Sequence, residues 1–309
     1  MQNSNFHEGE KSFHRALGIE ERMDEIGKRV IRDHMPDQHR DFFTQLPMIH
    51  ICALDKNGHP CAILRVGAPG FISSPDEFTL VINSTPLMGE PEDLQLVEGS
   101  KVSVVGVEFA TRRRNRLNAT ISAHENNQIE MKVDQSFGNC PKYIQIRNMF
   151  PPEETDVNSE VETVKTIGEN ERKLIGSIDT LFIASRSSKI DSEPKNGVDI
   201  NHRGGNPGFV EILDEQTIQF PDYLGNNIFN TFGNIVGDPR VGVQFIDFES
   251  GTLMHLHGLA EVITLEGEFD RNPDMGRRVK IKIETITTAT NALPFKPQFI
   301  SWSPMLPGR

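Results

Sequence analysis

The sequence predicts a mainly β chain with peripheral helices, built as two small antiparallel barrels in tandem, and three observations carry this. Arg203, Gly205 and Pro207-Gly208-Phe209 repeat Arg65, Gly67 and Pro69-Gly70-Phe71 at identical internal spacing. Val241 to Phe248 (VGVQFIDF) aligns with Val102 to Phe109 (VSVVGVEF), and Leu256-His257-Gly258 aligns with Leu117-Asn118-Ala119. Three blocks in one order point to two copies of a β-rich unit. A chain of 309 residues is long enough for two domains that each bury a core.

The elements follow in order. Residues 1–46 are an N-terminal helical extension: Leu17, Met23, Ile26, Val30 and Ile31 keep a rough helical period from residue 12 onward, and Asp37 to Gln45 form a second short helix after Pro36. The first barrel, 47–149, has six short apolar or alternating runs: Met48–Leu54, Ala62–Val66, Phe78–Ile82, Val102–Phe109, Arg116–Ser122 and Ile129–Val133. Turn residues separate them, Asp55-Lys56-Asn57-Gly58 being a good hairpin signal. Six strands at close spacing suggest a small antiparallel barrel.

Residues 150–164 open with two prolines (FPPEETDVNSEVET over 150–163), are acidic and lack an apolar face, which makes them the expected linker. The second barrel, 165–309, starts with a helix near Lys165 to Ile178. Its strands are expected at Leu181–Ser185, Val198–Asn201, Phe209–Leu213, Thr217–Phe220, Val241–Phe248, Met254–Val262 and Arg278–Thr285. Val279, Ile281 and Ile283 alternate with Lys280, Lys282 and Glu284, so one face of that last strand should be wet.

Composition excludes several classes of function. No run of about 18 apolar residues exists to cross a membrane, and the polar N-terminus MQNSNFHEGEKSFH lacks the apolar core of a secretory signal, so a cytoplasmic location is expected. A net charge of −12 argues against general affinity for nucleic acid or acidic membranes. Cys52, Cys61 and Cys140 show no metal-ligand spacing, and an odd number cannot complete a disulfide framework. Free thiols are the plain expectation.

The chemistry is expected between the Thr217–Phe220 and Val241–Phe248 strands of the second unit, in Phe220 to Pro239 (FPDYLGNNIFNTFGNIVGDP). Such a connection is far longer than a hairpin needs, and long connections in compact domains tend to be functional. Its Asn and Thr side chains and Gly-flanked amides can donate to an anion without carrying charge. Arg203, on a neighbouring strand, adds a fixed charge and a planar fork suited to phosphate. The alternative is that Asn and Gly only make turns here.

The order of strand, His202-Arg203-Gly-Gly-x-Pro-Gly-Phe, strand, Phe-Pro-x-Tyr-x-Gly-Asn, Asn230-Thr231-x-Gly-Asn234, then a strand ending Phe-x-Asp-Phe resembles pyridoxamine 5'-phosphate oxidase-related flavin-binding proteins, most closely their predicted flavin-nucleotide-binding branch. The resemblance is strong over residues 198 to 262 and weaker over 47 to 147. It implies tandem six-stranded split β-barrels of the FMN-binding type, with FMN held between two barrels. Arg203 matches the strand arginine at the FMN phosphate. Tyr223, Asn226 and Asn227 fall in the loop that closes over the flavin, and Asn230 and Thr231 stand where many members carry a basic pair. His202, Gly205, Pro207 and Asn234 complete the cofactor-contacting positions of the second unit, and Arg65 is their counterpart in the first.

The first unit lacks the Asn-Thr-x-Gly-Asn loop and has only Asn83 to Gly99 in its place. Its own site is therefore expected to be degenerate, the two units forming an internal pseudo-dimer with one FMN per chain. A homodimer is the competing arrangement. Phe137 to Gln145 (FGNCPKYIQ) resembles a Cys-Pro-Lys segment of related flavoproteins, so Lys142 could reach the phosphate or flavin; alternatively Pro141 starts a short helix and the lysine is solvated. Such a helix would lower the pKa of Cys140, yet no partner marks it as a nucleophile.

The cluster Arg112-Arg113-Arg114 with Arg116 either holds an anion or faces water from a hairpin tip. His255 and His257 share a strand face, but no third ligand suggests a metal. Phe299 and Trp302 are expected to pack over a barrel end. The resemblance implies an FMN-dependent oxidoreductase of unidentified substrate and catalytic residues, since Ala292 to Arg309 lacks the arginine-rich signature of true vitamin B6 oxidases. The alternative is a non-enzymatic electron-transfer or sensing module, served by a reductase partner, that binds flavin, haem or a deazaflavin.

Overall fold

A computed structural model describes residues 4–150, 159–265 and 274–308. The N-terminal extension is three helices, α1 (Glu8–Ala16), α2 (Glu20–Val30) and α3 (Asp37–Thr44). The first begins earlier than its apolar pattern suggests. His7 caps it reciprocally: its side chain accepts from the Gly9 N–H while the Glu10 carboxylate accepts the His7 N–H. Gly18, at φ +66°, ends that run and separates α1 from α2.

The first sheet contains β1 (Met48–Leu54), β2 (Pro60–Val66), β3 (Ile72–Ser73), β4 (Thr79–Asn83), β5 (Lys101–Glu108), β6 (Arg113–Glu125) and β7 (Gln128–Gly138). After β8 (Ile146–Asn148), β9 (Val161–Val164) and α4 (Glu169–Ser177) comes the second sheet. Its strands are β10 (Thr180–Arg186), β11 (Val198–Gly204), β12 (Glu211–Asp214), β13 (Thr217–Tyr223), β14 (Arg240–Asp247), β15 (Thr252–Thr264) and β16 (Asp274–Ala289). Helix α5 (Asn230–Gly237) precedes β14, and β17 (Gln298–Ser301) closes the described chain.

The first sheet runs β2-β1-β5-β6-β7-β4-β3 and the second β11-β10-β14-β15-β16-β13-β12, the same order shifted along the chain. All the pairings are antiparallel, and each sheet curls as a split barrel around its own core. Register repeats too. Arg65 lies opposite Ile49 as Arg203 lies opposite Leu181. Val104 pairs with Leu117 as Val243 pairs with Leu256, and a bulge follows Asn118 in one sheet and His257 in the other. Gly67 and Gly205 tuck under Phe71 and Phe209, where an added Cβ would stand 2.3 and 2.2 Å from the ring. A side chain at either glycine would force the turn open.

The continuous apolar runs of β1 and β10 have a simple cause. Ile49, Ile51 and Ala53 enter the core of the first sheet, whereas Met48 and Cys52 enter a third core between the sheets. Leu181 and Ile183 likewise face the second core, with Phe182 and Ala184 turned to the shared one. Both faces are buried, so neither strand alternates polar and apolar residues. Contact between the halves is close: a Cβ on Gly242 of β14 would lie 2.1 Å from the Pro60 carbonyl oxygen.

Two parts of the sequence-based expectation change here. The first sheet has a seventh, two-residue edge strand, β3, beside the six expected. Within the expected linker, Val161–Val164 is strand β9 on β16, while residues 151–158 lie outside the described residues. The tail pairs β17 with β8, and Arg147 sits over the rings of Phe248 and Phe299, at 4.6 and 5.7 Å, so the C-terminal segment ties down the junction of the two halves. No helix among the described residues is long and apolar enough to cross a membrane.

Candidate functional site

The Asn- and Gly-rich connection expected to carry the chemistry folds into a loop, 224–229, followed by α5. Asn227 and Phe229 adopt left-handed backbone, at φ 60° and 63°. Asn tolerates this; an aromatic residue there is costly and is held only by its surroundings. Phe229 stands at the N-cap of α5, where no side chain caps the helix, and Asn230, Thr231 and Phe232 of its first turn line a cavity of about 100 Å³.

That cavity lies between the halves. The second half lines it with His202 and Arg203 of β11, Asp222 and Tyr223 of β13, the 224–229 loop and the start of α5, and Arg277 of β16. The first half contributes Arg114 of β6 and Asn139, Cys140, Lys142 and Tyr143 from the segment after β7. Lys142 Nζ (3.4 Å) and Tyr143 Oη (3.0 Å) both donate to the Leu224 carbonyl, tying the first half to the loop of the second. Pro141 starts a turn and not a helix, with Tyr143 at φ 65° and its ring 5.0 Å from that of Tyr223.

Charge distinguishes this place. Arg114, Lys142, Arg203 and Arg277 meet one lining carboxylate, Asp222. Arg277 holds it through Nε and Nη2 at 2.9 and 2.7 Å, whereas Arg203 Nη1 remains 3.6 Å away. Four cations against one anion leave an excess of three positive charges in a chain of net −12. Burial, with Arg116 and Arg203 nearby, pulls the Arg114 guanidinium down to about 9, still protonated at neutral pH. Burial also lowers Arg203, partly offset by Asp222. Both Nε atoms are buried without a hydrogen-bond partner, as are those of the paired Arg65, Arg116 and Arg278.

His202 is buried, and neither of its ring nitrogens has a partner. Desolvation, then the charge of Arg114 with His50 and Arg147 close by, hold it well below the ordinary histidine range and therefore neutral. It meets Phe182 edge-on at 5.3 Å.

Of the twelve sequence-derived positions, His202, Arg203, Tyr223, Asn226, Asn227, Asn230, Thr231 and Lys142 line this cavity. The side chains of Asn230 and Thr231 are engaged elsewhere. Asn230 donates to Glu10 (2.5 Å) and accepts from Arg116 (3.0 Å), and Thr231 accepts from Asn201 (2.8 Å). Asn234 is fully buried, joining His7, Ser185 and Asp199. Gly205 and Pro207 shape the turn after β11 and do not line the cavity. Arg65 is buried in the first half, paired with Glu90.

Sequence reasoning missed several contributors. Arg277 was not singled out, and Asp222 lay in the Phe220 to Pro239 connection without being assigned a role. Arg114 seemed to belong to a hairpin tip, yet its guanidinium reaches inward to the carbonyls of His202 (3.1 Å) and Cys140 (2.6 Å). Arg112 holds the Ile144 and Trp302 carbonyls, Arg113 that of Gln38, and Arg116 the Asp199 carboxylate at 2.6 Å. The spacing Arg114-x-Arg116 on a strand was the available signal, since it sends both side chains to one face. Helix α1 was also missed as a support: a Cβ on Gly9 would stand 2.0 Å from the Gly233 carbonyl oxygen, so α1 presses directly on α5.

His255 bonds the Ala62 carbonyl at 3.1 Å and His257 stacks on His59 at 5.8 Å, both across the junction of the halves. No cluster of three metal-ligating side chains occurs among the described residues.

No protein-family profile matches the chain, and no curated protein matches it. Similar solved structures include HupZ from Group A Streptococcus (17% identity, 39% of this chain and 91% of that chain, TM-score 0.29). A candidate pyridoxamine 5'-phosphate oxidase from Lactobacillus delbrueckii is similar at 14% identity over 40% of this chain and 94% of that one, TM-score 0.31. The FAD binding protein from Mycobacterium smegmatis is similar at 16% identity over 42% and 98%, TM-score 0.26.

Proposed function

We propose that the chain binds one FMN, non-covalently, in the cavity between its halves, and that it is an oxidoreductase of the pyridoxamine 5'-phosphate oxidase-related kind. The observation that carries this is the unmatched positive charge of Arg114, Lys142, Arg203 and Arg277 beside the uncapped start of α5. A helix N-terminus next to arginine forks is suited to a phosphate monoester. The donor set fits the group, and Tyr143, Phe209, Tyr223, Phe229 and Phe232 offer planar apolar walls for a ring system. A cavity of about 100 Å³ is below the roughly 300–1,000 Å³ of typical small-molecule sites. The 224–229 loop must therefore swing out, releasing the Leu224 carbonyl from Lys142 and Tyr143.

A bound flavin supplies hydride or electron transfer, and the chain supplies position and polarity. Arg203 and the α5 amides hold the phosphate end; Arg277 holds Asp222 off that phosphate. Neutral His202 can donate or accept one hydrogen bond without adding charge. Residues 47–149 and 165–309 act as two domains whose junction makes the site.

Titration of the purified chain with FMN, followed by flavin absorbance and fluorescence, tests this. One FMN per chain is expected. Two would contradict a single competent site, and no binding at micromolar FMN would remove the functional assignment. The visible spectrum of the untreated protein separates flavin from haem or deazaflavin, and anaerobic mixing with NADH or NADPH separates an enzyme from an electron-transfer module. Residues 156–309 alone should bind FMN weakly; full binding by that fragment would favour a homodimer.

A further inference from the structure

The first sheet contains its own copy of the Arg203 environment, with a different occupant. Arg65 shares the register of Arg203 and precedes the same glycine-phenylalanine turn. It is 2% exposed, and both its terminal nitrogens meet the Glu90 carboxylate, Nη2 to Oε1 at 2.6 Å and Nη1 to Oε2, in the two-pronged geometry of a bound oxyanion. Glu90, itself 7% exposed, comes from the segment Asn83 to Gly99, which stands where the second half has its loop and α5.

That segment is seated firmly. Gly89, at φ +80°, approaches so closely that an added Cβ would be 2.8 Å from the Ala289 Cβ, and Leu87 packs into the core between the sheets. By register, Leu253 and Ala289 take the places that Arg114 and Asn139 hold at the open cavity. The first place has lost its extra cation and gained a tethered carboxylate.

We propose that Glu90 is a built-in anion occupying a former ligand position, and that Arg65 is a latent binding site for small carboxylates. Replacing Glu90 by Ala deletes CH₂–COO⁻, the heavy-atom skeleton of acetate, and leaves a cationic slot of that shape. The reading of this place as a former ligand position rests on the proposed function, whereas the Arg65 slot and its test do not, because the Arg203 cavity is untouched.

The test is thermal unfolding of the full chain with Glu90→Ala, in chloride and in acetate at equal ionic strength, with wild type and Arg65→Met/Glu90→Ala alongside. In chloride, Glu90→Ala should melt at least about 5 °C below wild type, because one member of a buried pair is lost. Acetate should restore much of that saturably, formate less and phosphate least. The double variant, without a buried cation, should show no acetate response beyond that of wild type. Equal acetate responses in Glu90→Ala and wild type would overturn the proposal. If Glu90→Ala is insoluble, refolding yield is measured instead: recovery in acetate but not chloride supports the slot, and no recovery in either overturns it.

Discussion

Arg65 and Arg203 occupy one position on two copies of one scaffold, so each is a control for the other. Arg65 is sealed, with both terminal nitrogens on the Glu90 carboxylate; Arg203 is 25% exposed and 3.6 Å from its nearest carboxylate. Strand order, register and turn do not differ between them. What differs is the connection that follows the fourth strand of each set: in one half it delivers a carboxylate, in the other the amides of a helix start. On the proposed function, a scaffold arginine is structural or ligand-binding according to a neighbouring loop.

The most disruptive way to probe this contrast is acid, which should dissolve both places together. Burial lowers His39 and His255 to about 4 and His50 to about 3, and His50 and His255 lie between the sheets. These imidazoles are neutral in the folded chain, while in the unfolded chain they take up protons near their ordinary value of about 6.5. The unfolded state therefore binds more protons between those limits. Stability is full above about pH 6.5 and falls as pH drops toward 4. Urea midpoints at pH 7, 6 and 5 should decline steadily, and a flat profile would contradict the burial of these rings.

Next in size is Arg65→Ala. It strands a buried carboxylate and should cost about 3–5 kcal/mol of stability in denaturant unfolding. Its effect on FMN affinity should be small. Arg203→Ala should show the reverse. FMN binding should weaken by on the order of 2 kcal/mol, roughly thirtyfold, with riboflavin much less affected and stability nearly unchanged. Equal losses for FMN and riboflavin would move Arg203 away from the phosphate. Smallest is Lys142→Met, which removes one cavity cation but only a long 3.4 Å bond. It should weaken FMN by a few-fold, and the deficit should shrink as salt rises.

Much of this contrast was legible in the residues themselves. The Arg-x-Gly-x-Pro-Gly-Phe repeat exposed the two equivalent places because the turn tolerates little else, with Gly70 and Gly208 at φ +98° and +83°. The missing Asn-rich loop in the first half marked its place as different. Glu90 was not legible, since one glutamate in an acidic chain gives no sign that it turns inward to an arginine. Nor was the support of α1: its Gly9 and Glu10 look like solvated helix residues until the second half folds against them. Arg114 and Arg277 were hidden for the same reason, because strand alternation tells which residues share a face but not whether another sheet covers it.

The placement of Tyr143 and Tyr223 has one more consequence. They are the only two tyrosines in the chain, they come from opposite halves, and their rings meet at the wall of the cavity. The alkaline ionisation of the phenols, which indole does not share, therefore reports on this spot alone. Burial raises Tyr143 to about 12 and Tyr223 in the same direction, so a closed junction should ionise late. Separation of the halves would announce itself as an early alkaline titration, giving the molecule an optical gauge that needs no label.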